Sequence, residues 1–283
     1  MKVIVSRYSG VCFGVERALK LAEEALANHT GRKIFTWGPL IHNPQVVEDL
    51  ALKGIVSTEH VHDIESGDVI IVRSHGIAKE LESELRQRGA AVIDATCPFV
   101  KNAQKKAQYL YEQGYEVFIF GEHDHPEVQA ILSYTDYKGT VVAHADDAVF
   151  QTKKVGIVSQ TTRNKEPFTE LCARAAAQVT EVLLFNTICD ATHLRQNDAL
   201  ALAETVEFMI VVGGKNSANT RKLFELVSKK VPSAHIESEK ELDSLELMRY
   251  NAVGITAGAS TPDFIIQNVT AFLKKIHMGG NTV

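Results

Sequence analysis

Short apolar runs alternate along the chain with longer segments in which apolar residues recur at helical spacing. The run at residues 90–93 is typical, because it leads into Cys97 and is followed by a helical pattern from Phe99 to Gln113. Predicted strands of this kind span residues 2–6, 33–37, 68–72, 90–93, 116–120, 154–158, 181–186, 207–212 and 252–256. A predicted helix follows each strand, and strands that alternate with helices indicate an α/β fold with parallel sheets.

Three cysteines occupy matching places in this pattern. Cys12, Cys97 and Cys189 each lie at the corner between a predicted strand and a predicted helix, with spacings of 85 and 92 residues. We predict three similar small α/β units, which span residues 14–97, residues 98–187, and residues 188–283 together with the N-terminal strand in 1–13. No Pro-, Gly- or Ser-rich linker separates these units, so we expect them to pack tightly.

The composition narrows the class of protein. The chain has 283 residues, 45% of them hydrophobic, and a net charge of −5 with a pI near 6.1, so nothing indicates binding to nucleic acid or to an anionic membrane. No apolar run approaches the roughly 18 residues of a membrane span. The first apolar run is too short for a signal peptide, and no extension resembling a plastid transit peptide precedes it. We therefore expect a cytoplasmic protein.

Polar side chains follow most of the predicted strands. Because ligands bind beyond the carboxyl ends of parallel strands, these side chains would converge on one site if the three units face one another. The residues in question are Cys12, His42, His75, Cys97, His125, Glu127, Thr161, Cys189, Ser217, Asn219 and Ser260. Histidines, hydroxyls, an amide and glycine-rich loops that open helices are groups that bind phosphate or diphosphate. Glu127 is either a first-turn carboxylate that complements the helix dipole or a proton donor.

The cysteines allow several kinds of site. In a reducing compartment, four cysteines in a chain of this length indicate metal binding or catalysis more than disulfides. Three thiolates suit zinc, with a histidine as the fourth ligand, or an iron–sulfur cluster. Three cysteines on a four-iron cluster would leave one iron without a protein ligand, able to act as a Lewis acid on a substrate oxygen. The alternative is that each cysteine packs as a small apolar side chain, which is our expectation for Cys172 inside its predicted helix.

The motifs at the strand ends resemble those of one family, the 4-hydroxy-3-methylbut-2-enyl diphosphate reductases (IspH, or LytB). The resemblance runs from Gly10 to Pro262. It rests on Gly10–Val15, His42–Asn43, Arg73–Gly76, Asp94–Pro98, Gly121–Val128, Ser159–Thr162, Asn186–Gln196, Ser217–Asn219 and Gly258–Ser260.

The resemblance implies an architecture and a role for each site residue. Three α/β units would be arranged pseudo-threefold around a central [4Fe-4S] cluster, which Cys12, Cys97 and Cys189 would ligate. The diphosphate of the substrate would bind to His42, His75, His125, Ser217, Asn219 and Ser260. Ala218 stands where the family often has a second serine, and its backbone N–H can still serve there. Glu127 would deliver protons, and Thr161 would help to hold or relay them at the substrate hydroxyl.

The implied reaction is a two-electron reductive dehydroxylation, the last step of the non-mevalonate (MEP/DOXP) isoprenoid pathway. It converts (E)-4-hydroxy-3-methylbut-2-enyl diphosphate to isopentenyl and dimethylallyl diphosphate, with ferredoxin or flavodoxin as the electron donor. Oxidation of the cluster would remove its unprotected iron and leave [3Fe-4S]. Two alternatives stay open: a zinc-dependent hydrolase of a phosphorylated small molecule, and a non-enzymatic iron–sulfur sensor.

Overall fold

The computed structural model describes residues 1–41, 43–244 and 246–279. The strands are β1 (Lys2–Val5), β2 (Ile34–Trp37), β3 (Ile55–Thr58), β4 (Val69–Val72), β5 (Ala91–Asp94), β6 (Glu116–Phe120), β7 (Thr140–Val142), β8 (Lys154–Ser159), β9 (Glu181–Leu184), β10 (Phe208–Val212), β11 (Ser233–Ile236) and β12 (Ala252–Ala257). The α-helices are α1 (Phe13–Asn28), α2 (Pro44–Leu52), α3 (Lys79–Gln87), α4 (Pro98–Glu112), α5 (Pro126–Ser133), α6 (Lys165–Gln178), α7 (Asp190–Ala203), α8 (Ala218–Ser228) and α9 (Asp263–Gly279).

The described strands form three four-stranded sheets with the orders β1-β12-β10-β11, β3-β2-β4-β5 and β7-β6-β8-β9. Every paired strand is parallel to its neighbour. The predicted α/β class with parallel sheets is therefore confirmed. In the first sheet, the N-terminal strand β1 pairs with β12 from the C-terminal end of the chain, so the two ends of the sequence share one sheet.

The central strands are apolar along their whole length because helices cover both faces of a parallel sheet. All residues of β4 and of β10 are buried. Helix α4 shows how a helix covers such a sheet. Its residues Val100, Ala103, Ala107 and Leu110 recur at helical spacing and are buried, and Pro98 begins the helix where a missing N–H costs nothing.

Three strands, β3, β7 and β11, were missing from the sequence prediction. Each lies at an edge of its sheet, at the end opposite the strand that leads to a cysteine. These three strands contain only two apolar residues each, too few for a recognisable apolar run. In β3 only the first and last residues are buried, and Val56 between them is 52% exposed. These strands form because they pair with a neighbouring strand, and their own residues do not indicate a strand.

The chain divides into two compact units. The first unit comprises residues 1–16, 41–49 and 190–283 and contains the sheet β1-β12-β10-β11; the second comprises residues 17–40 and 50–189 and contains the other two sheets. The predicted boundaries of three domains stay a prediction. No α-helix in the described ranges is both long enough and apolar enough to cross a membrane.

Candidate functional site

The three corner cysteines occupy equivalent positions in their sheets. Each follows an edge strand, is half-buried, and immediately precedes a helix. Each also donates its backbone N–H to a carbonyl two residues beyond the end of the neighbouring strand. These bonds run from Cys12 to Ala259 (3.1 Å), from Cys97 to Ser74 (2.9 Å) and from Cys189 to Thr161 (2.8 Å). The same bond thus fixes the backbone of all three cysteines, and each cysteine immediately precedes the first residue of a helix.

A second set of equivalent loops follows the central strands β6 and β10. His125 and Ser217 each lie five residues past the end of the strand, and each caps the helix that follows. Nδ1 of His125 accepts a hydrogen bond from the backbone N–H of Glu127 (3.1 Å), and Oγ of Ser217 accepts one from Thr220 (3.4 Å). His42 has the corresponding place after β2 in the sequence but lies outside the described residues.

Four of the predicted residues form one connected network in the second unit. The carboxylate of Glu127 accepts two hydrogen bonds from Thr161, one from the backbone N–H (2.6 Å) and one from Oγ1 (2.9 Å). The carbonyl of Thr161 in turn accepts the backbone N–H of Cys189. Since His125 caps the first turn of the helix that carries Glu127, the candidate proton donor is linked to a histidine on one side and to a cysteine corner on the other.

The environment of Glu127 sets its protonation. The residue is only 1% exposed, and burial raises the pKa of its carboxyl to about 7, although the two hydrogen bonds from Thr161 act in the opposite direction. Burial disfavours the charged form, whereas donors to the carboxylate favour it. At neutral pH both forms of Glu127 are therefore well populated, as a group that repeatedly gives and receives protons requires.

His75 and His125 lie side by side in the second unit. Their ring centroids are 5.5 Å apart, and the rings meet at 83°. Because Nδ1 of His125 accepts the cap bond, the neutral ring carries its proton on Nε2, which is a hydrogen-bond donor. Gly76 keeps a positive φ of 76° beside His75, and a Cβ there would lie 2.6 Å from Nε2 of Gln104. The loop after β4 therefore requires glycine at this position.

The predicted anion-binding residues of the first unit lie around the N-terminus of α8. Ser217 and Ser260 are buried, and the amide of Asn43 donates to the carbonyl of Ser260 (3.1 Å). Nδ2 of Asn219 is buried, and no acceptor for it is found among the described residues. A buried side-chain donor at the first turn of a helix, where the helix dipole is positive, suits an anionic oxygen.

Lys215, in the Gly-Gly loop before α8, is engaged elsewhere. Its ammonium lies 2.5 Å from the carboxylate of Glu241, and its backbone N–H donates to Glu237. Around Ser217 the loop therefore presents backbone N–H and hydroxyl groups to a ligand. The ammonium of Lys215 is instead paired with Glu241.

Two residues near the site were assigned no role from the sequence. Gln160 is buried, accepts the backbone N–H of Glu122 and donates to Thr162, so it joins the loops that follow β6 and β8. Arg17, one turn into α1, donates to two backbone carbonyls at the corner of Cys97. Both residues act on backbone groups far away in the sequence, and periodicity does not reveal such partners.

The thiols of the three corner cysteines are chemically suited to an iron–sulfur cluster. Cys12 belongs to the first unit, whereas Cys97 and Cys189 belong to the second. In the ranges that the structure describes, no group of three or more His, Cys, Asp or Glu side chains has the spacing of a metal site. The fit therefore rests on three half-buried thiols at equivalent helix starts. Cys172 differs, because burial raises the pKa of its thiol to about 11 and keeps it protonated.

Comparisons with known proteins identify the family. The model of the family described as LytB protein matches residues 3–274. A 4-hydroxy-3-methylbut-2-enyl diphosphate reductase from Aquifex aeolicus is 44% identical in an alignment that covers 98% of this chain and 97% of that protein. A reductase of the same name from Trichlorobacter lovleyi is 44% identical, over 98% of this chain and 99% of its own length.

Solved structures agree with the sequence comparisons. The structure of an (E)-4-hydroxy-3-methyl-but-2-enyl diphosphate reductase, described as the terminal enzyme of the non-mevalonate pathway, has a TM-score of 0.78 and 43% identity, covering 97% of this chain and 100% of its own. A Plasmodium falciparum diphosphate reductase has a TM-score of 0.86 and 26% identity over 96% of this chain and 87% of its own. The chain belongs to the LytB protein family.

Proposed function

We propose that this chain reduces (E)-4-hydroxy-3-methylbut-2-enyl diphosphate to isopentenyl diphosphate and dimethylallyl diphosphate. Membership of the LytB family and the reductase names of its close relatives support this function. The observation that carries it is the buried carboxyl of Glu127, with its pKa near 7 and its two bonds from Thr161. A reaction that consumes protons needs such a group close to the reacting atoms.

The reaction consumes two electrons and two protons for each substrate. The bond between the terminal carbon and its hydroxyl oxygen breaks, and one proton leaves with that hydroxyl as water. The other proton is added to one end of the allylic carbon skeleton, which explains why two isomeric products form. The diphosphate is unchanged, so it serves as the part of the substrate by which the protein holds and orients the reacting end.

Cys12, Cys97 and Cys189 are the proposed ligands of a [4Fe-4S] cluster with one iron that no protein group ligates. When bound, such a cluster supplies the electrons and a Lewis-acid site for the substrate hydroxyl. Oxidation of such a cluster would remove the unprotected iron and leave [3Fe-4S]. The equivalent backbone bonds at the three corners support this assignment, because they give each thiol the same setting at a helix start.

Glu127 is the proposed proton donor, and Thr161 holds it. In the protonated state the buried carboxyl gives its proton at the substrate hydroxyl. The carboxylate that remains is stabilised by the N–H and O–H of Thr161, which lie at 2.6 and 2.9 Å. Thr161 also bonds through its carbonyl to Cys189, so its position depends on a cysteine corner. Thr161 therefore fixes the position of the Glu127 carboxyl, and the pKa of that carboxyl stays near 7.

The proposed diphosphate site has seven members, which follow the strands β2, β4, β6, β10 and β12 in the sequence. Its members are His42, His75, His125, Ser217, Ala218, Asn219 and Ser260. Nε2–H of His125, the unpaired amide of Asn219 and the N–H of Ala218 at the start of α8 support the assignment, because all three are donors. We also propose that the reaction takes place in the cytosol and that ferredoxin or flavodoxin donates the electrons.

Anaerobic reconstitution followed by elemental analysis tests the function. We expect brown protein with iron and sulfide, and formation of both products when the diphosphate and a strong one-electron reductant are added. Colourless protein that binds zinc and hydrolyses a phosphate ester would favour the hydrolase alternative. Brown protein that neither binds nor reduces the diphosphate would favour a sensor and overturn the proposal.

A further inference from the structure

Two arginines follow two of the corner cysteines at nearly the same distance. Arg17 lies five residues after Cys12, in α1, and Arg195 lies six residues after Cys189, in α7. Arg195 is 4% exposed, and Arg17 is half-buried. Burying a guanidinium is costly unless its N–H groups find acceptors, so their partners indicate what the two residues do.

Each arginine donates to the backbone just before a different cysteine. Nη1 and Nη2 of Arg17 donate to the carbonyls of Thr96 (3.3 Å) and Asp94 (3.2 Å), at the corner of Cys97. Nη2 of Arg195 donates to the carbonyl of Gly10 (3.0 Å), at the corner of Cys12. Both bonds thus connect the helix after one cysteine to the turn before another.

The third corner shows a related contact in the same direction. Helix α4 follows Cys97, and its residue Lys106 lies 4.3 Å from the ring centroid of Phe185, four residues before Cys189. In all three cases a basic residue from the helix after one cysteine reaches the segment before another. The order is Cys12 to Cys97, Cys97 to Cys189, and Cys189 to Cys12. Such a cyclic pattern is unexpected for unrelated surface contacts.

Two acidic side chains also lie near these corners, Asp94 and Asp263. Asp94 is paired with Lys101 at 2.5 Å, so its carboxylate does not cancel the charge of Arg17. A carboxylate oxygen of Asp263 lies against Gly10, where an added Cβ would approach it to 2.7 Å. Without Arg195, the corner of Cys12 would keep this negative neighbour and lose its positive one.

We propose that Arg17 and Arg195 are positioning residues of the iron–sulfur site, each of which holds a cysteine corner and supplies fixed positive charge. The proposal rests on the proposed function. A guanidinium is a rigid fork that can satisfy two carbonyls of one turn, as Arg17 does, and an ammonium cannot match that geometry. A fixed cation near a cluster favours the reduced, more negative state, because net charge and hydrogen bonding tune cluster potentials.

Substitutions that separate charge from geometry test this role. Arg17→Gln and Arg195→Gln remove the charge, whereas Arg17→Lys and Arg195→Lys keep it and lose the fork. Arg86→Gln is the control, because Arg86 is exposed on α3 and its guanidinium pairs with Glu82 one turn earlier in the same helix. The measurements are iron and sulfide content after anaerobic reconstitution, the midpoint potential, and the rate of iron loss in air.

We expect both Gln variants to lose iron several-fold faster than the parent and to show a lower midpoint potential. The Lys variants should keep a potential near that of the parent but lose iron faster, and Arg86→Gln should match the parent in every measurement. Parent-like iron loss and potential in both Gln variants would overturn the inference. If Arg195→Gln does not fold, the two Arg17 variants decide. Failure of the parent chain itself to bind iron would instead count against the proposed function.

Discussion

Thr161 donates two hydrogen bonds to the carboxylate of Glu127, from its backbone N–H at 2.6 Å and from its hydroxyl at 2.9 Å. The two residues come from different strand ends, 34 positions apart in the sequence. Burial raises the pKa of Glu127, and these bonds limit the rise, so that the carboxyl titrates near 7. The proposed chemistry depends on this balance.

Replacement of Glu127 by glutamine should separate binding from turnover. Glutamine keeps the size and an acceptor oxygen but cannot release a proton. We expect nearly unchanged affinity for the diphosphate and a loss in kcat of about 10² or more, the usual contribution of a positioned acid. Single-turnover kinetics and a binding titration check this. Near-parental kcat in this variant would remove Glu127 from the mechanism.

The raised pKa of Glu127 also predicts a pH dependence of stability. The unfolded carboxyl ionises near 4.5 and the folded one near 7, so the folded state holds its proton more tightly. The resulting stabilisation is fully present below pH 4.5 and is lost as the pH rises to about 7, by about 3 kcal/mol at most.

Urea unfolding of the chain and of Glu127→Gln at several pH values measures this effect. The difference in unfolding free energy between the two should shift in favour of the glutamine variant between pH 4.5 and 7. A difference that does not vary with pH would show that Glu127 ionises normally in the folded chain.

Thr161→Val should move the pH profile of turnover. The valine keeps the shape and the backbone N–H bond but removes the hydroxyl that donates to Glu127. Because that bond favours the carboxylate, its loss should raise the pKa of Glu127 and shift the basic limb of the profile to higher pH. Thr161→Ser, which keeps the hydroxyl, is the control. Identical profiles for the valine and serine variants would contradict the assignment.

Asn219→Ala should weaken diphosphate binding without destabilising the fold. The buried amide donor has no acceptor among the described residues, so the folded chain already lacks that bond. We expect a Kd for the diphosphate about tenfold higher, the order expected for one hydrogen bond to a charged group, and an unchanged or higher Tm. An unchanged Kd would place Asn219 outside the binding site.

Cys97 and Cys172 should respond differently to substitution by serine. Cys97→Ser should strip or destabilise the cluster, because Cys97 is a proposed ligand at a helix start. Cys172→Ser is the matched control, since Cys172 is buried inside α6. Iron and sulfide analysis after anaerobic reconstitution distinguishes the two variants. Equal iron content in both would show that Cys97 is not a ligand.

Short apolar runs that alternate with segments of helical periodicity were enough to predict an α/β fold with parallel sheets. The strands β4, β6 and β10 carry their own signal, because all of their residues are apolar and buried except Glu116 at the start of β6. The edge strands β3 and β7 were missed because half of each faces away from the core, and their short sequences do not exclude a loop.

The candidate site was predicted as a set of residues but not as a network. Strand ends and helix starts identify where Glu127 and Thr161 lie, since parallel strands bring such groups to one edge. They do not identify the bond between the two side chains or the pKa that follows from it. Arg17 was missed for the same reason, because its partners are backbone carbonyls that any sequence provides.

Electron counting tests the central claim most directly. Anaerobically reconstituted chain is mixed with a measured amount of a reduced one-electron dye, and the diphosphate is added while dye oxidation and products are followed. The account predicts two electrons oxidised for each diphosphate consumed, with isopentenyl and dimethylallyl diphosphate together matching the substrate lost. Cluster-loaded chain that oxidises no dye when the diphosphate is added would contradict it.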